Sequence, residues 1–293
     1  MDTLPVEFYA LVADLVLYTT ITVCNRLPGR AGACFSQAFE NMVITETTIN
    51  YEGISVLSFS RRREGGHRIL AEAPIDKKYE QHVQISIHYF HVEEEPIIAK
   101  LSEMKWSHKF CLTFYTSNFS EKFEDFITSI AKVHNLTICT PITDRMSRMT
   151  EKMIQKGTLS VFALKNTHQF DVSTTRMLLD SLKQQQFYYL ALYEGCILPW
   201  SAVIADWEAN SEMMLGKTID LENGRLDHLI AEFGFTDCSA GEKNYLDSYY
   251  PQIKGVCGGE PARALILKNP RGGALYALEI GFAPRMCITV LFA

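Results

Sequence analysis

The chain has 293 residues, 47% of them hydrophobic and 21% charged, a balance typical of a folded globular protein with a substantial core. Its 28 basic and 34 acidic side chains give a net charge of −6, so no basic field is available to hold nucleic-acid phosphates. No basic segment precedes the first apolar residues, and no apolar run approaches the roughly 18 residues of a membrane helix. We therefore expect no signal peptide, no nucleic-acid or membrane partner, and a location in the cytoplasm or nucleus.

The first region, residues 4–42, carries a helical pattern. Apolar residues recur near the helical period from Val6 to Val16, and Pro28-Gly29 marks a turn before a short third helix. Three helices this short cannot bury much apolar surface among themselves. Residues 1–45 are therefore expected to form a small helical module that docks on another surface.

A period of two replaces the helical pattern between residues 46 and 105. Ile54–Phe59 and His82–His88 alternate apolar and polar side chains, as strands do, and Gly65-Gly66 supplies a turn after the first of them. We expect a small antiparallel strand region here. Glu93–Pro96 is expected to be an exposed linker or loop.

From residue 106 onward, strands and helices alternate. Five short strands are expected, centred near Leu112, Leu136, Val161, Leu190 and Ile219. Their centres lie 24, 25, 29 and 29 residues apart, with an amphipathic helix predicted in each interval. Ser120 and Asp171 are predicted N-caps, and Gly157 and Gly234 are predicted to end two of the helices.

Two folds alternate strands and helices in this way. A near-constant period with one strand and one helix is typical of a leucine-rich-repeat-like solenoid. A doubly wound parallel sheet is the competing fold. However, no glycine-rich phosphate turn follows any strand, and the strands are only half apolar, whereas strands buried on both faces are continuously apolar. We therefore expect an α/β fold in which residues 106–293 form an irregular solenoid whose strands pair in parallel and in sequence order.

Three further strands are expected at the C-terminus, over 262–267, 274–280 and 286–292. Asn269–Gly273 and Pro284 separate them. An exposed solenoid end needs a cap, so we expect these strands to form a meander that closes one end of the sheet.

No group of residues predicts catalysis, a cofactor or a metal site. The eight cysteines include no closely spaced pair, so we expect buried thiols in a reducing compartment. Cys257 lies in a glycine-rich turn, but no histidine follows it, and a flexible turn is the better interpretation. Met146, Met149 and Met153 are interpreted as core residues rather than as a soft-metal or peptide groove. We expect that the protein is not an enzyme.

Residues alternate between the two faces of a strand, so one face of the sheet is expected to stay open opposite the helices. If the strand centres face the helices, the open face is lined by Thr113, Tyr115, Thr137, Cys139, Phe162, Leu164, Tyr189, Tyr193 and Asp220. Aromatic residues on an exposed sheet are typical interface anchors. The predicted target-binding residues are therefore Tyr115, Phe162, Tyr189 and Tyr193. The alternative is that the N-terminal strands or the C-terminal tail cover this face.

The opening Leu4-Pro5-Val6-Glu7, followed by a helix with spaced aliphatic residues, resembles an F-box. The longer phrase Met1–Phe8 also resembles the large nematode-expanded F-box families. Members of those families carry an F-box-like start and then a strand–helix region similar to leucine-rich repeats, the FTH-type F-box-associated domain. The architecture is similar over most of the chain.

This resemblance implies a substrate-recognition subunit of a cullin-type ubiquitin ligase. The F-box-like module would hold a Skp-family adaptor, and the repeats would hold a protein target. The implied adaptor-binding residues are Leu4, Pro5, Phe8, Leu11 and Leu15. A stand-alone protein-interaction module with a degenerate F-box and no ubiquitin role is the alternative.

Overall fold

The computed structural model of the chain describes residues 29, 32–34, 36, 43–50, 53–64, 67–70, 80–88, 93–104, 106–130, 133–165, 170–193, 196–197, 199–222, 226–243, 246, 261–282 and 285–293. Residues 32–34 and 36, within the predicted third helix, are helical. The predicted adaptor-binding residues lie outside the described residues, as does Cys257. None of the described helices is long and apolar enough to cross a membrane.

The chain forms two compact units of mixed α/β structure, Met1–His134 and Asn135–Ala293. The sheet of each unit is open. The predicted boundaries after residues 45 and 105 stay predictions.

The sheet of the first unit has the strand order β5-β4-β1-β2-β3. Its strands are β1 (Val43–Asn50), β2 (Gly53–Glu64), β3 (His67–Leu70), β4 (Glu80–Ile87) and β5 (Trp106–Phe114). β2 pairs antiparallel with β1 and with β3, as predicted. However, β4 pairs in parallel with both β1 and β5, so the prediction of an entirely antiparallel region is wrong. Alternation of apolar and polar residues reveals the two faces of a strand but not its direction.

Besides the helical residues 32–34 and 36, the described part of the first unit contains the helices α1 (Glu94–Ser102) and α2 (Glu121–Ser129). Glu93–Pro96 was expected to be a linker or loop, and this is wrong because α1 begins at Glu94. Two glutamates in its first turn suit the positive end of the helix dipole, and proline is tolerated there. The start of α1 is tied to the start of α2, since Glu94 accepts hydrogen bonds from the Ser120 backbone N–H at 2.7 Å and from the Ser120 hydroxyl.

The core of the first unit lies on the face of the sheet that α2 covers. The Phe114 ring lies 5.3 Å from that of Phe119, which lies 6.0 Å from that of Phe123 in α2. Phe110 and Leu112 precede Phe114 at alternate positions of β5 and are fully buried. Ser120 accepts a hydrogen bond from the Phe123 N–H, which confirms it as the N-cap of α2.

The sheet of the second unit has the strand order β10-β11-β12-β13-β9-β8-β7-β6. Its strands are β6 (Val133–Ile138), β7 (Val161–Leu164), β8 (Tyr189–Leu192), β9 (Thr218–Glu222), β10 (Thr236–Asp237), β11 (Pro261–Lys268), β12 (Ala274–Phe282) and β13 (Arg285–Phe292). Of the five strands predicted to pair in parallel and in sequence order, the four within this unit, β6 to β9, do so. β11, β12 and β13 form the predicted antiparallel meander, which joins the edge of β9.

The described part of the second unit contains the helices α3 (Asp144–Gln155), α4 (Val172–Lys183), α5 (Trp200–Met214) and α6 (Asp227–Phe233), and residues 240–243 and 246 are also helical. Three predicted helix ends are confirmed. The Asp171 carboxylate accepts the Thr174 N–H at 2.6 Å. Gly157 and Gly234 follow α3 and α6 with φ of 65° and 72°, which glycine adopts without steric cost.

Helices α3, α4 and α5 lie on one face of the parallel strands. Each connects a strand to its next neighbour in the same direction, and right-handed crossovers of this kind all fall on the same side of a sheet. Neighbouring helices accordingly pack on each other, α3 on α4 and α4 on α5. Met146, Met149 and Met153 are buried, which confirms their interpretation as core residues.

Lys217 is a buried cation at the start of β9. Its ammonium donates hydrogen bonds to the backbone carbonyls of Gln184 at 2.7 Å, Gln185 at 3.2 Å and Phe187. Only 5% of the residue is exposed, and burial lowers the pKa of its amino group. Three backbone carbonyls thus replace the water that the buried ammonium has lost. Through these hydrogen bonds, Lys217 connects the turn between α4 and β8 to the start of β9.

We predict that Lys217→Met lowers the free energy of unfolding by about 3 kcal/mol, because the substitution removes three hydrogen bonds that a buried, charged donor makes to backbone carbonyls. Urea denaturation followed by circular dichroism measures the loss. Lys243→Met is the matched control, since Lys243 is exposed, and its effect should stay below about 0.5 kcal/mol. Equal, small losses in the two variants would contradict this role for Lys217.

Candidate functional site

The face of the first-unit sheet opposite α2 carries a regular array of polar side chains. Nine residues on β1, β4 and β5, or directly after them, make up this polar grid: Glu46, Thr48, Asn50, Gln84, Ser86, His88, Cys111, Thr113 and Tyr115. Strand register aligns them in rows, with Thr48 opposite Ser86 and Ser86 opposite Thr113. All nine are half-buried or exposed, whereas the residues between them, such as Ile85 and Leu112, are fully buried. This face is therefore accessible within the first unit as described.

An aromatic pair stands at the carboxyl ends of β4 and β5. The rings of His88 and Tyr115 are stacked, with centroids 4.1 Å apart and an interplanar angle of 11°. Backbone hydrogen bonds hold both residues in place, from the His88 N–H to the Ile49 carbonyl at 2.9 Å and from the Tyr115 N–H to the Ile87 carbonyl at 2.8 Å. Tyr115 is 47% exposed, so a large aromatic surface faces solvent beside the polar grid. This agrees with its predicted place on the open face.

The open face of the second unit is the one opposite α3, α4 and α5. Twelve residues of four strands share it by register: Asn135, Thr137, Cys139, Val161, Ala163, Lys165, Tyr189, Ala191, Tyr193, Thr218, Asp220 and Glu222. Ala163 and Ala191 are buried, and the other ten are half-buried. This face is therefore less accessible than the polar grid.

Asp220 organises the centre of the second open face. Its carboxylate accepts the Tyr189 hydroxyl at 2.6 Å and the Thr289 hydroxyl at 2.5 Å. Thr289 is fully buried on β13, directly opposite Asp220. The network fixes the orientation of the Tyr189 ring, and its hydroxyl is committed within the fold.

Tyr193 lies at the carboxyl end of β8 and carries a cation on its ring. The Lys165 ammonium is 4.7 Å from the ring centroid, within the range of a cation–π contact. Burial raises the pKa of the neighbouring Cys139 thiol, and the Lys165 charge partly offsets this effect. A thiol with a raised pKa is a poor nucleophile near neutral pH.

One predicted target-binding residue is misplaced. Phe162 is fully buried, in register with Leu136 and Leu190 on the helix side, so its prediction as an open-face anchor is wrong. Leu164 is likewise buried on that side. Val161–Leu164 is apolar throughout, so its sequence does not predict which alternate residues face the helices. In the structure, Val161 rather than Phe162 lies on the open face.

His88, Gln84 and Ser86 belong to the polar grid but were not among the predicted site residues. The signal was present, because His82–His88 alternates polar with apolar residues and so assigns these three to one face. What was missing was the register that sets them beside Tyr115. Gln84 donates a hydrogen bond to Ser86 at 3.1 Å, which ties the two along β4.

The cysteines and acidic residues form no metal site in the part of the chain that the structure describes. No group of three or more His, Cys, Asp and Glu side chains could hold a metal ion there. Of the six described cysteines, Cys238 is buried and the other five are half-buried, so the expectation that the thiols are buried holds fully for Cys238 alone among them.

A concavity lies on the helix side of the second unit. It has a volume of about 960 Å³ and is lined by parts of α3, α4 and the end of α5. Val172 and Met213 contribute apolar surface, with 87% and 53% exposure. Lys183 of α4, which lines the concavity, contacts Asp180 of the same helix at 3.0 Å and Asp206 of α5 at 3.4 Å.

Comparison of the chain with protein-family models, with curated proteins and with solved structures finds no match. The functional proposal therefore depends on the two open faces and on the F-box-like opening of the sequence.

We predict that Tyr189→Phe lowers the free energy of unfolding by about 1–2 kcal/mol, because it removes a hydrogen bond donated to a half-buried carboxylate. Tyr115→Phe makes the same chemical change at an exposed ring and should cost less than about 0.5 kcal/mol. Thermal and urea denaturation of the two variants give the comparison. A loss in Tyr189→Phe no larger than in Tyr115→Phe would show that the Asp220 network does not stabilise this face.

Proposed function

We propose that this chain is a non-enzymatic protein-binding adaptor that holds a protein target on an open sheet face. The observation that carries the proposal is the polar grid with its exposed His88–Tyr115 pair. Side chains that hydrogen-bond, grouped around an exposed aromatic anchor, are what a specific interface presents to its partner.

Tyr115 is the strongest candidate target contact, because it combines exposure with a fixed ring position. Tyr189 and Tyr193 are second candidates on the open face of the second unit. Both are half-buried, so a target would reach their ring edges rather than their full surfaces. Phe162 is no longer a candidate.

The finer proposal is a substrate-recognition subunit of a cullin-type ubiquitin ligase in the cytoplasm or nucleus. It rests on the resemblance of residues 1–45 to an F-box, with Leu4, Pro5, Phe8, Leu11 and Leu15 holding a Skp-family adaptor. Pro5 suits a helix start because its missing N–H would be unpaired there, and Glu7 suits the dipole of the first turn. The parallel strand–helix order of β6 to β9 is what a leucine-rich-repeat-like solenoid requires, and it supports assigning the target to the rest of the chain.

A stand-alone interaction module with no ubiquitin role is the second candidate. It shares the open faces and lacks only adaptor binding, so the two candidates differ in a single measurable interaction.

We predict that the full chain binds a purified Skp-family adaptor in isothermal titration calorimetry. Leu4→Asp and Phe8→Asp should abolish binding, because a charge cannot enter an apolar interface without a large desolvation cost. Val172→Asp is the control, since Val172 is 87% exposed on α4 and outside the proposed adaptor surface. Absence of binding by the wild-type chain would leave the stand-alone module.

We predict that affinity capture with mass spectrometry identifies proteins retained by the wild-type chain and lost from Ser86→Arg. An arginine at Ser86 projects bulk and charge from the middle of the polar grid. Ser173→Arg, at an exposed position on α4 that lines the helix-side concavity, is the matched control and should retain the same proteins. The opposite pattern, with loss only in Ser173→Arg, would move the target site to that concavity.

A further inference from the structure

We infer that the polar grid takes an uncharged polar stretch of polypeptide, rich in Ser, Thr, Asn and Gln, as the contacting segment of its protein target. This inference rests on the proposed function and specifies the chemistry of the partner.

The small number of charged residues on the polar grid favours an uncharged partner segment. Among its nine positions there is one carboxylate, Glu46, and there is no lysine or arginine. Glu46 lies opposite Gln84, two rows away from His88 and Tyr115. An acidic segment would find no lysine or arginine on the grid to pair with. A basic segment would lose hydration on binding and could pair with only one carboxylate, that of Glu46. Desolvating a charge without a well-placed partner opposes binding.

The hydrogen-bonding groups of the grid favour a neutral polar segment instead. Thr48, Ser86 and Thr113 form a row of hydroxyls across three strands, and each hydroxyl can both donate and accept. The Gln84 amide extends this capacity beside the row, since its oxygen can accept while its nitrogen donates to Ser86. Side chains that both donate and accept match hydroxyl and amide groups of a partner regardless of which group donates.

The aromatic pair adds a site for a planar group. Because His88 and Tyr115 stack nearly parallel, each ring has one face turned away from the other. A peptide plane or a side-chain amide can pack on such a face while its polar edges reach the grid. Three strands spaced about 4.8 Å apart, with rows along them about 7 Å apart, give a platform of roughly 10 by 14 Å. That size accommodates about four residues of extended chain.

The test is a selection of random heptapeptides, displayed on yeast, for binding to the full-length wild-type chain at pH 8. Clones are then sorted by whether they still bind Ser86→Arg and Ser173→Arg. We expect clones that lose binding only to Ser86→Arg to be enriched in Ser, Thr, Asn and Gln. The corresponding synthetic peptides should change in affinity less than about twofold between 50 and 500 mM NaCl, because an interaction without ion pairs is barely screened.

The outcomes separate this inference from the proposed function. If the grid-dependent clones are enriched in Lys and Arg or in Asp and Glu, or lose affinity more than about tenfold at high salt, the inference is overturned and docking at the grid stands. If no clone depends on Ser86, docking at the grid itself fails, and the inference fails with it. Circular dichroism and urea denaturation of Ser86→Arg confirm that lost binding is not lost folding. Tyr115→Ala, which spares β4, provides a second variant that should release the same clones.

Discussion

Phe162, Leu190 and Ile219 lie side by side on three parallel strands, and their burial beneath the helices fixes which side chains reach the opposite face. A strand has only two faces, and a shift of one residue exchanges them completely. Each of these fully buried side chains contributes roughly 1.5–3 kcal/mol relative to leaving it exposed. A register slip would therefore cost several such contributions at once. The positions of Tyr189 and Asp220 on the open face follow from this one constraint.

The same constraint acts in the first unit with a different result. Ile85, Leu112 and Phe114 are buried on the side of α2, which commits the alternate residues of β1, β4 and β5 to the other face. Those residues are almost all polar, so these three strands expose little apolar surface on that face apart from the Tyr115 ring. His88 and Tyr115 are the large rings on this face, and backbone hydrogen bonds hold both at strand ends. The positions of these two rings are therefore fixed before a partner binds. This favours binding, because little side-chain conformational entropy remains to be lost.

The two open faces differ in how their polar groups are used. In the second unit, the Tyr189 and Thr289 hydroxyls are committed to Asp220, and Lys165 lies over Tyr193. These contacts stabilise the face and restrict what it can offer to a partner. In the first unit, the Ser86 hydroxyl accepts a hydrogen bond from Gln84, and the face presents the exposed aromatic ring of Tyr115. This difference is why the proposed target contact centres on Tyr115 rather than on Tyr189 or Tyr193.

The local features of the fold could be predicted from the amino-acid sequence. It predicted the caps at Ser120, Asp171, Gly157 and Gly234, because a side-chain oxygen or a positive φ is a requirement of the adjoining backbone alone. It also predicted the parallel order of β6 to β9, because each short connection through one helix leaves little choice of neighbour. The direction of β4, and which side chains of β7 face the helices, depend on tertiary packing. The alternation in β4 is the same in a parallel or an antiparallel sheet, and Val161–Leu164 is apolar throughout, so only packing against neighbouring strands and helices selects which of its side chains is buried.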